Sequence, residues 1–372
     1  MTTLSIIKAD TGGFVGHSAV HPDMEHAARE WLADAVNTGL LSDGQVASCG
    51  DDLALIMVHG HGADAEAVHS FAWELFQHTT SIAQRLGLYG AGQDLLSDAF
   101  SGNLRGMGPG YAELEFTERP SEPMICFLAD KTEPGAWNLP LYRMFADPFN
   151  TAGLVIDKNM HPGFLFEVYD LHEEKRIVFD CPSELYDMLM YIGAPARYVV
   201  HRIHSKTLAA TAAATSTQRL SLIAGKYVGK DDPVMIVRCQ SGLPAVGEVL
   251  EPFAFPYTVA GCMRGSHHAP LMPVGLDQAH PTRFDGPPRV VALGFQVTDG
   301  KLVGPRDLFA DPSFDRARQQ ANVTMDYLRR HGPFEPHRLP LEDLEYTTMR
   351  QLEDDLTDRW QPIHEAPAPA ER

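Results

Sequence analysis

The clearest structural signal in the chain is the stretch Asp51-Asp-Leu-Ala-Leu-Ile-Met-Val58, in which an unbroken apolar run follows a pair of carboxylates. An apolar run of this length, bounded by polar residues, predicts a buried β-strand. The segment that follows, from 64 to 86, repeats apolar residues at helical spacing and predicts a helix with one buried face. Strands and helices alternate in this way along much of the remaining chain.

Further apolar segments extend this alternation along the sequence. Strands are predicted at the N-terminus and at 111–116, 124–128, 153–156, 163–171, 198–203, 234–239, 257–260 and 289–297. Helices are predicted at 24–41, 183–192 and 314–331. This order predicts an α/β or α+β fold with a large mixed sheet system. No linker or repeat divides the chain, so we expect one catalytic domain over 1–361 and a disordered Pro, Ala and Glu-rich tail over 362–372.

Composition favours an enzyme in a reducing compartment. The 372 residues carry a formal net charge of −19, which argues against nucleic acid as a partner because binding to phosphates needs a basic face. Five scattered cysteines without CxxC spacing indicate reduced, buried thiols. No apolar run has the length of a signal peptide or a membrane span, so we expect a cytoplasmic protein without a membrane partner.

Carboxylates recur at the margins of the apolar runs. Asp10 follows the run Leu4–Ala9, Asp51 and Asp52 precede Leu53, and Asp130 follows a run that begins at Met124. Strand ends in one sheet system bring distant residues together, and carboxylate oxygens are the ligands that magnesium prefers. Each of these aspartates alone is equally compatible with an ordinary turn, but their recurrence predicts a shared metal site.

A glycine-punctuated loop, Gly225-Lys-Tyr-Val-Gly-Lys-Asp-Asp-Pro233, places Lys230 directly before Asp231 and Asp232. A lysine amine forms a Schiff base with a ketone, whereas paired carboxylates hold magnesium against a phosphate. The loop therefore carries groups for two chemistries, and Gly225 and Gly229 would allow it to change conformation between them. Taken alone, the segment is also compatible with a solvated Lys-Asp-Asp turn.

Two other kinds of segment fit phosphate binding. The stretches 89–95 and 101–110 are rich in glycine and expose many backbone N–H groups, although neither is a nucleotide-binding motif. Lys131 and Arg264 lie beside acidic or glycine-rich sequence and suit phosphate anchoring. His17 follows three glycines after Asp10 and suits a metal or a phosphate. The pairs His59-x-His61 and His267-His268 are interpreted as structural because no Cys or Glu accompanies them at zinc-ligand spacing.

Eight short motifs occur in a characteristic order between Ile6 and Met349. They are Lys8-Ala-Asp-x-Gly-Gly13 with Gly16-His17, Gly50-Asp-Asp52, Tyr89-Gly-Ala-Gly-Gln-Asp94, Leu128-Ala-Asp-Lys131, Tyr227-Val-Gly-Lys-Asp-Asp232, Arg264-Gly-Ser-His267, Phe284-Asp-Gly-Pro-Pro288 and Glu345-Tyr-Thr-Thr348. Together they resemble the class V, archaeal-type fructose-1,6-bisphosphate aldolase/phosphatase family. Each motif is weak, but the ordered set over nearly the whole chain is specific.

The resemblance implies a single-domain, four-layer α-β-β-α sandwich that assembles as a homo-octamer. It implies a gluconeogenic enzyme that condenses dihydroxyacetone phosphate with glyceraldehyde 3-phosphate and then hydrolyses the C1 phosphate of the product, using several Mg2+ ions. Lys230 would be the Schiff-base lysine and Tyr227 the proton donor and acceptor. The residues implied at the metal ions are Asp10, His17, Asp51, Asp52, Gln93, Asp130, Lys230, Asp231 and Asp232. Those implied to contact sugar or phosphate are His17, Tyr89, Gly102, Lys131, Gln240, Ser241, Arg264, Asp285 and Tyr346.

Two other functions remain compatible with the residues. A monofunctional magnesium-dependent sugar phosphatase needs only the acidic cluster, with Lys230 as a phosphate contact. A noncatalytic protein that binds divalent metal would also use the acidic clusters, although Lys131, Arg264 and the glycine-rich loops have no purpose in it.

Overall fold

Two β-sheets form the frame of the protein. The computed structural model describes residues 1–95, 108–216, 218–219, 232–265, 267–283, 286–332, 338–340 and 348–363. The strands in these ranges are β1 (Thr2–Asp10), β2 (Asp43–Cys49), β3 (Asp52–His59), β4 (Gly110–Phe116), β5 (Glu122–Asp130), β6 (Phe164–Asp170), β7 (Lys175–Cys181), β8 (Tyr198–Ser205), β9 (Ala210–Thr215), β10 (Gln218–Arg219), β11 (Val234–Arg238), β12 (Thr258–Gly261), β13 (His267–Pro270), β14 (Met272–Pro273), β15 (Arg289–Thr298) and β16 (Lys301–Asp307).

The first sheet has the strand order β10-β4-β1-β3-β2 and is antiparallel throughout. In its centre, β1 pairs with β3 so that Asp10 lies directly opposite Asp52. The second sheet has the order β14-β15-β5-β11-β9-β8-β6-β7, with β16 added to β15. Its strands are antiparallel except for the pair β14 and β15. A separate hairpin joins β12 and β13.

The described residues form nine helices, of which α1 and α2 cover the outer face of the first sheet and α3, α5 and α6 that of the second. They are α1 (Pro22–Asn37), α2 (Glu66–Leu86), α3 (Asn138–Ala146), α4 (Gly153–Ile156), α5 (Leu185–Ile192), α6 (Val246–Leu250), α7 (Cys262–Gly265), α8 (Asp315–Arg329) and α9 (Thr348–Leu356). Within the described ranges, none of them combines the length and the apolar character that crossing a membrane requires.

Three buried clusters define the layers. Ile7 and Leu55 of the first sheet pack with residues of α1 and α2. The neighbouring Ile6 points to the other face, where it joins Cys126 and Ile236 of the second sheet in a core between the sheets. The far face of the second sheet packs against α3, α5 and α6. Helices, sheet, sheet and helices therefore follow one another, and the predicted α-β-β-α sandwich is confirmed.

The local predictions hold for the long, strongly patterned elements and fail for short or exposed ones. Residues 153–156 were predicted as a strand from their apolar, β-branched sequence, but they form the single helical turn α4. The Glu248 carboxylate accepts a hydrogen bond from Gly153 N at 3.0 Å and stabilises the start of that turn. The strands β2, β7, β9 and β16 were not predicted. Of the predicted tail at 362–372, only residues 362 and 363 are described.

Candidate metal and phosphate site

The predicted acidic strand ends meet where the two sheets adjoin. Asp10 ends β1, Asp52 begins β3 and Asp130 ends β5. Gly50 makes this approach possible, because a Cβ placed there would lie only 2.1 Å from Asp130 Oδ1. The φ of Gly50 is also +65°, a value that favours glycine. The backbone at Gly50 thus sets the separation between the aspartates of the two sheets.

One group of metal-type ligands consists of Asp10, His17 and Asp51, whose ligand atoms lie within 4.8 Å of one another. His17 Nδ1 is 2.8 Å from Asp51 Oδ2, and the imidazole makes an edge contact with the ring of Tyr89. The amide oxygen of Gln93, the His17 ring and the Asp10 carboxylate all lie within 3.9 Å of the Cβ position above Gly90. These predicted residues therefore do come together.

A second group consists of Asp52, Asp130 and Asp232, again with ligand atoms within 4.8 Å. Asp232 is fixed to the strand-end loop of β5 by two hydrogen bonds: its backbone N–H donates to Thr132 O at 2.7 Å, and its carboxylate accepts from Thr132 N at 3.0 Å. Asp130 Oδ2 is buried and has no hydrogen-bond partner within the described residues. A buried carboxylate oxygen without a donor is destabilising unless a cation or solvent binds it.

Two ammonium groups, one buried and one partly buried, lie among these carboxylates. Lys8, on β1, forms an ion pair with Asp52 and is almost completely buried. Lys131 Nζ lies 3.1 Å from Asp130 Oδ1 and 3.4 Å from Asp51 Oδ1. Burial opposes the charge of Lys131, but the surrounding carboxylates prevail and raise its pKa well above the ordinary value. Lys131 is therefore a permanent cation at the centre of the site.

The carboxylates respond to this environment in different directions. Burial, followed by the charges of Asp51 and Asp94, raises the pKa of Asp10 well above its ordinary value. Burial likewise raises the pKa of Asp130, although the positive charge of Lys131 lowers it in part. For Asp51 the effect of burial is outweighed by Lys131 and His17, which hold its pKa below the ordinary value. Burial first, and neighbouring carboxylates second, therefore disfavour the charged forms of Asp10 and Asp130.

The residues fit a divalent cation. Lys8 and Lys131 face six carboxylates in the described part of the chain, those of Asp10, Asp51, Asp52, Asp94, Asp130 and Asp232. The donors are almost all oxygen, which suits a hard cation such as Mg2+ rather than a thiolate-binding metal. The partnerless oxygen of Asp130 provides a further ligand atom. Both ligand groups could hold such an ion.

Not every predicted residue lies at this site. Gln240 and Ser241 follow β11 at the end where Arg238 pairs with Met124, whereas Asp130 lies at the opposite end of β5. Met124 and Asp130 are six positions apart along β5, which corresponds to about 20 Å. The pair therefore does not reach the acidic site of its own chain.

The remaining predicted residues are described only in part. Arg264 lies on α7, three residues after Gly261, and Gly261 packs directly on Thr132 at the acidic site. The structure describes only the backbone of Arg264. The other predicted site residues lie outside the described residues: Gly102, Tyr227, Lys230, Asp231, Asp285 and Tyr346.

Three site residues were not predicted from the sequence. Asp94 accepts a hydrogen bond from Asp10 N at 2.8 Å and adds a buried negative charge. Lys8 forms an ion pair with Asp52, and the absence of a side chain at Gly50 leaves room for the Asp130 carboxylate. A signal existed for Lys8, because a lysine within the apolar run from Leu4 to Ala9 must find a buried partner.

A further polar cluster lies at the opposite end of β1. Ser5 Oγ is 2.8 Å from His59 Nε2 and donates to Glu113 at 2.7 Å, and His69 Nε2 is 3.1 Å from the same carboxylate. Glu113 also accepts a hydrogen bond from Asp64 N at 2.6 Å. The two Glu113 oxygens thus have partners within the protein, and the cluster connects α2 to the first sheet.

Comparison with known proteins gives one consistent result. A family model described as fructose-1,6-bisphosphatase matches residues 1–361. Three relatives are each named fructose-1,6-bisphosphate aldolase/phosphatase. The protein from Moorella thermoacetica is 65% identical over 96% of this chain and 94% of its own length. That from Ignicoccus hospitalis is 61% identical over 99% and 95%. That from Methanothermobacter marburgensis is 58% identical over 97% and 99%.

Proposed function

The chain belongs to the fructose-1,6-bisphosphatase family, and from this membership we infer that it is a bifunctional fructose-1,6-bisphosphate aldolase/phosphatase. It condenses dihydroxyacetone phosphate with glyceraldehyde 3-phosphate and hydrolyses the C1 phosphate of the product. The observation that carries this function is identity of 58–65% over nearly the full length of relatives with that name. These names favour the bifunctional enzyme over a single-activity phosphatase or a metal-storage protein.

For the phosphatase step, we propose that the two ligand groups hold Mg2+. Bound there, the ions would polarise the phosphoryl group and lower the pKa of an attacking water. Asp10, Asp51 and His17 would form one side of the site, and Asp52, Asp130 and Asp232 the other. Lys131 would bind the substrate phosphate as a partly buried, positively charged donor. Beside His17, Gln93 would provide a further oxygen ligand for the metal, and Tyr89 would contact the sugar.

For the aldolase step, the proposed nucleophile is Lys230, with Tyr227 as proton donor and acceptor. Lys230 precedes Asp232 by two residues, and two residues span at most about 7 Å. Because Asp232 is held to Thr132 at the acidic site, a lysine two positions earlier in the chain is close enough in sequence to serve that site. Asp231, Arg264, Asp285, Gly102 and Tyr346 complete the proposed ligand set.

The distant residues Gln240 and Ser241 fit the function if the site is shared between copies of the chain. We propose that the protein is a homo-octamer in the cytoplasm, and that this pair contacts the sugar phosphate bound by a neighbouring copy. In support, both side chains are exposed, while they are about 20 Å from the acidic site of their own chain. A surface residue at that distance can contact the substrate only across an interface.

Two assays test this function. Release of inorganic phosphate from fructose 1,6-bisphosphate with Mg2+ measures the phosphatase, and borohydride reduction with dihydroxyacetone phosphate traps a Schiff base on Lys230. Lys230→Ala is expected to abolish the aldol reaction and the trapped adduct while retaining part of the phosphatase activity, because the aspartates remain. Lys226→Ala, on the same loop, is the matched control. Aldol activity that survives in Lys230→Ala would contradict the assignment of the lysine.

A further inference from the structure

The turn between β11 and α6 has an unusual backbone. Gln240, Ser241 and Gly242 have φ values of 65°, 51° and 88°, so three successive residues are left-handed. Glycine adopts this conformation readily, but residues with a Cβ are disfavoured in it. Non-glycine residues in such conformations persist only where neighbouring contacts fix them, and they are concentrated at ligand-binding positions. The two strained residues here are also the exposed ones.

Arg119 adds side-chain contacts to a turn that is also closed by the backbone hydrogen bond from Gln240 N to Pro244 O at 3.0 Å. Its Nη1 donates to Gln240 O at 2.6 Å, and its Nη2 donates to Cys239 O at 2.8 Å. The same guanidinium donates to Glu122 through Nε at 3.0 Å and Nη2 at 2.5 Å. Arg119 thus binds the carbonyl groups of the turn, while the side chains of Gln240 and Ser241 stay exposed.

The contacts to the turn are not needed to neutralise Glu122. This fully buried carboxylate already has a two-point ion pair with the buried Arg238, at 3.0 Å to Nε and 2.7 Å to Nη2. Arg238 in turn is fixed by Thr211 O at 3.1 Å. Glu122 and Arg238 therefore form a rigid base, and Arg119 links that base to the turn.

We propose that Arg119 is a positioning residue of the substrate site, because it holds the turn that presents Gln240 and Ser241 to a sugar phosphate bound by a second copy of the chain. The proposal rests on the proposed function, in which those two residues contact the substrate. The guanidinium of Arg119 is engaged by Glu122 and the carbonyl groups of the turn, so we assign it a positioning role and not a catalytic one.

Steady-state phosphatase kinetics with fructose 1,6-bisphosphate test the proposal. Arg119→Met is expected to raise KM by about tenfold and to change kcat by less than about twofold, because it weakens substrate contacts and leaves the acidic site intact. Arg119→Lys should give a smaller rise, since a lysine keeps the charge but cannot bind two carbonyls and Glu122 at once. In the background of Gln240→Ala with Ser241→Ala, Arg119→Met should add no further rise.

Arg176→Met is the matched control, because this exposed arginine on β7 also pairs with a glutamate, Glu167, and should leave KM unchanged. A wild-type KM in Arg119→Met, or in Arg119→Lys where the methionine variant fails to fold, overturns the proposal. A fall in both kcat and Tm with an unchanged KM also overturns the proposal. If the double alanine variant keeps the wild-type KM, the turn does not contact the substrate and the proposal is wrong. A wild-type chain without phosphatase activity would instead contradict the proposed function itself.

Discussion

At the scale of single residues, the site depends on small groups as much as on charged ones. Asp130 reaches the aspartates of the first sheet only because Gly50 has no side chain. Gly50 N also donates to Ala279 O at 2.7 Å, so the glycine is held in place and cannot retreat from Asp130. Sequence alone identified the carboxylates Asp51 and Asp52 beside it, but the requirement for glycine arises from a contact with a residue 80 positions away.

Gly50→Ala tests this close approach. The new Cβ would overlap Asp130 Oδ1 and would sit at a φ of +65°, so Asp130 must move away from Asp52. We expect a loss of phosphatase activity of about 100-fold or more, with weaker Mg2+ binding in isothermal titration calorimetry. Gly39→Ala is the control, because Gly39 has a similar φ of +81° and open space around it. Equal losses in the two variants would show that backbone strain, and not contact with Asp130, is responsible.

At the scale of secondary structure, the sequence predicted the strands that are buried on both faces. In β1 and β3 nearly every residue is buried, and an unbroken apolar run reports this directly. β7 lies at the edge of its sheet and exposes its first four residues, and β2 lies at the edge of the other sheet with six half-buried residues. β2 has neither a continuous nor an alternating apolar pattern, and the apolar run of β7 is only three residues long, 177–179. Each is held by a hairpin to the strand next to it in sequence, β2 to β3 and β7 to β6, and such a pairing places a strand without requiring an apolar run in it.

The same distinction applies to the site. Asp10, Asp51, Asp52 and Asp130 were predicted because each adjoins an apolar run whose strand character was clear. Asp94 belongs to one of the motifs but was not predicted as a site residue, because its role depends on a hydrogen bond to Asp10 N, which is 84 positions away in sequence. The separation of Gln240 from the acidic site follows from the antiparallel register of β11 on β5, and sequence motifs carry no register.

The cluster that connects α2 to the first sheet predicts a dependence of stability on pH. Burial lowers the pKa of His59 from 6.5 to about 4, so the unfolded chain takes up a proton there before the folded chain does. The contribution of His59 to stability is therefore complete above pH 6.5 and is lost as the pH falls towards 4. We expect the unfolding free energy of the wild type to fall by about 3 kcal/mol relative to that of His59→Gln over this range.

Urea unfolding at several pH values between 4 and 7 measures this difference. Glutamine cannot titrate, so the His59→Gln curve should be flatter than that of the wild type. His26→Gln changes an exposed histidine on α1 and should give a curve parallel to the wild type. Parallel curves for wild type and His59→Gln would show that folding does not change the pKa of His59 and would contradict the prediction.

At the scale of the whole molecule, the sandwich separates two functions along the strands of its second sheet. The acidic site lies at the Asp130 end of β5, whereas the turn clamped by Arg119 lies at the far end. An enzyme that needed both in one chain would have to bridge about 20 Å of rigid sheet. Assembly of copies removes this difficulty, because the acidic end of one chain can meet the turn of another.

Mixed assemblies test this sharing directly. Asp51→Asn removes a proposed metal ligand, and Gln240→Ala with Ser241→Ala removes the proposed contacts of the turn, so each pure assembly should have low kcat/KM. If each site combines the aspartates of one chain with the turn of another, a random equal mixture restores an intact site about a quarter of the time. Co-expression of the two chains, with different affinity tags for isolation of the hybrids, should recover activity to roughly that extent. Recovery no greater than the average of the two pure variants would mean that each chain completes its own site.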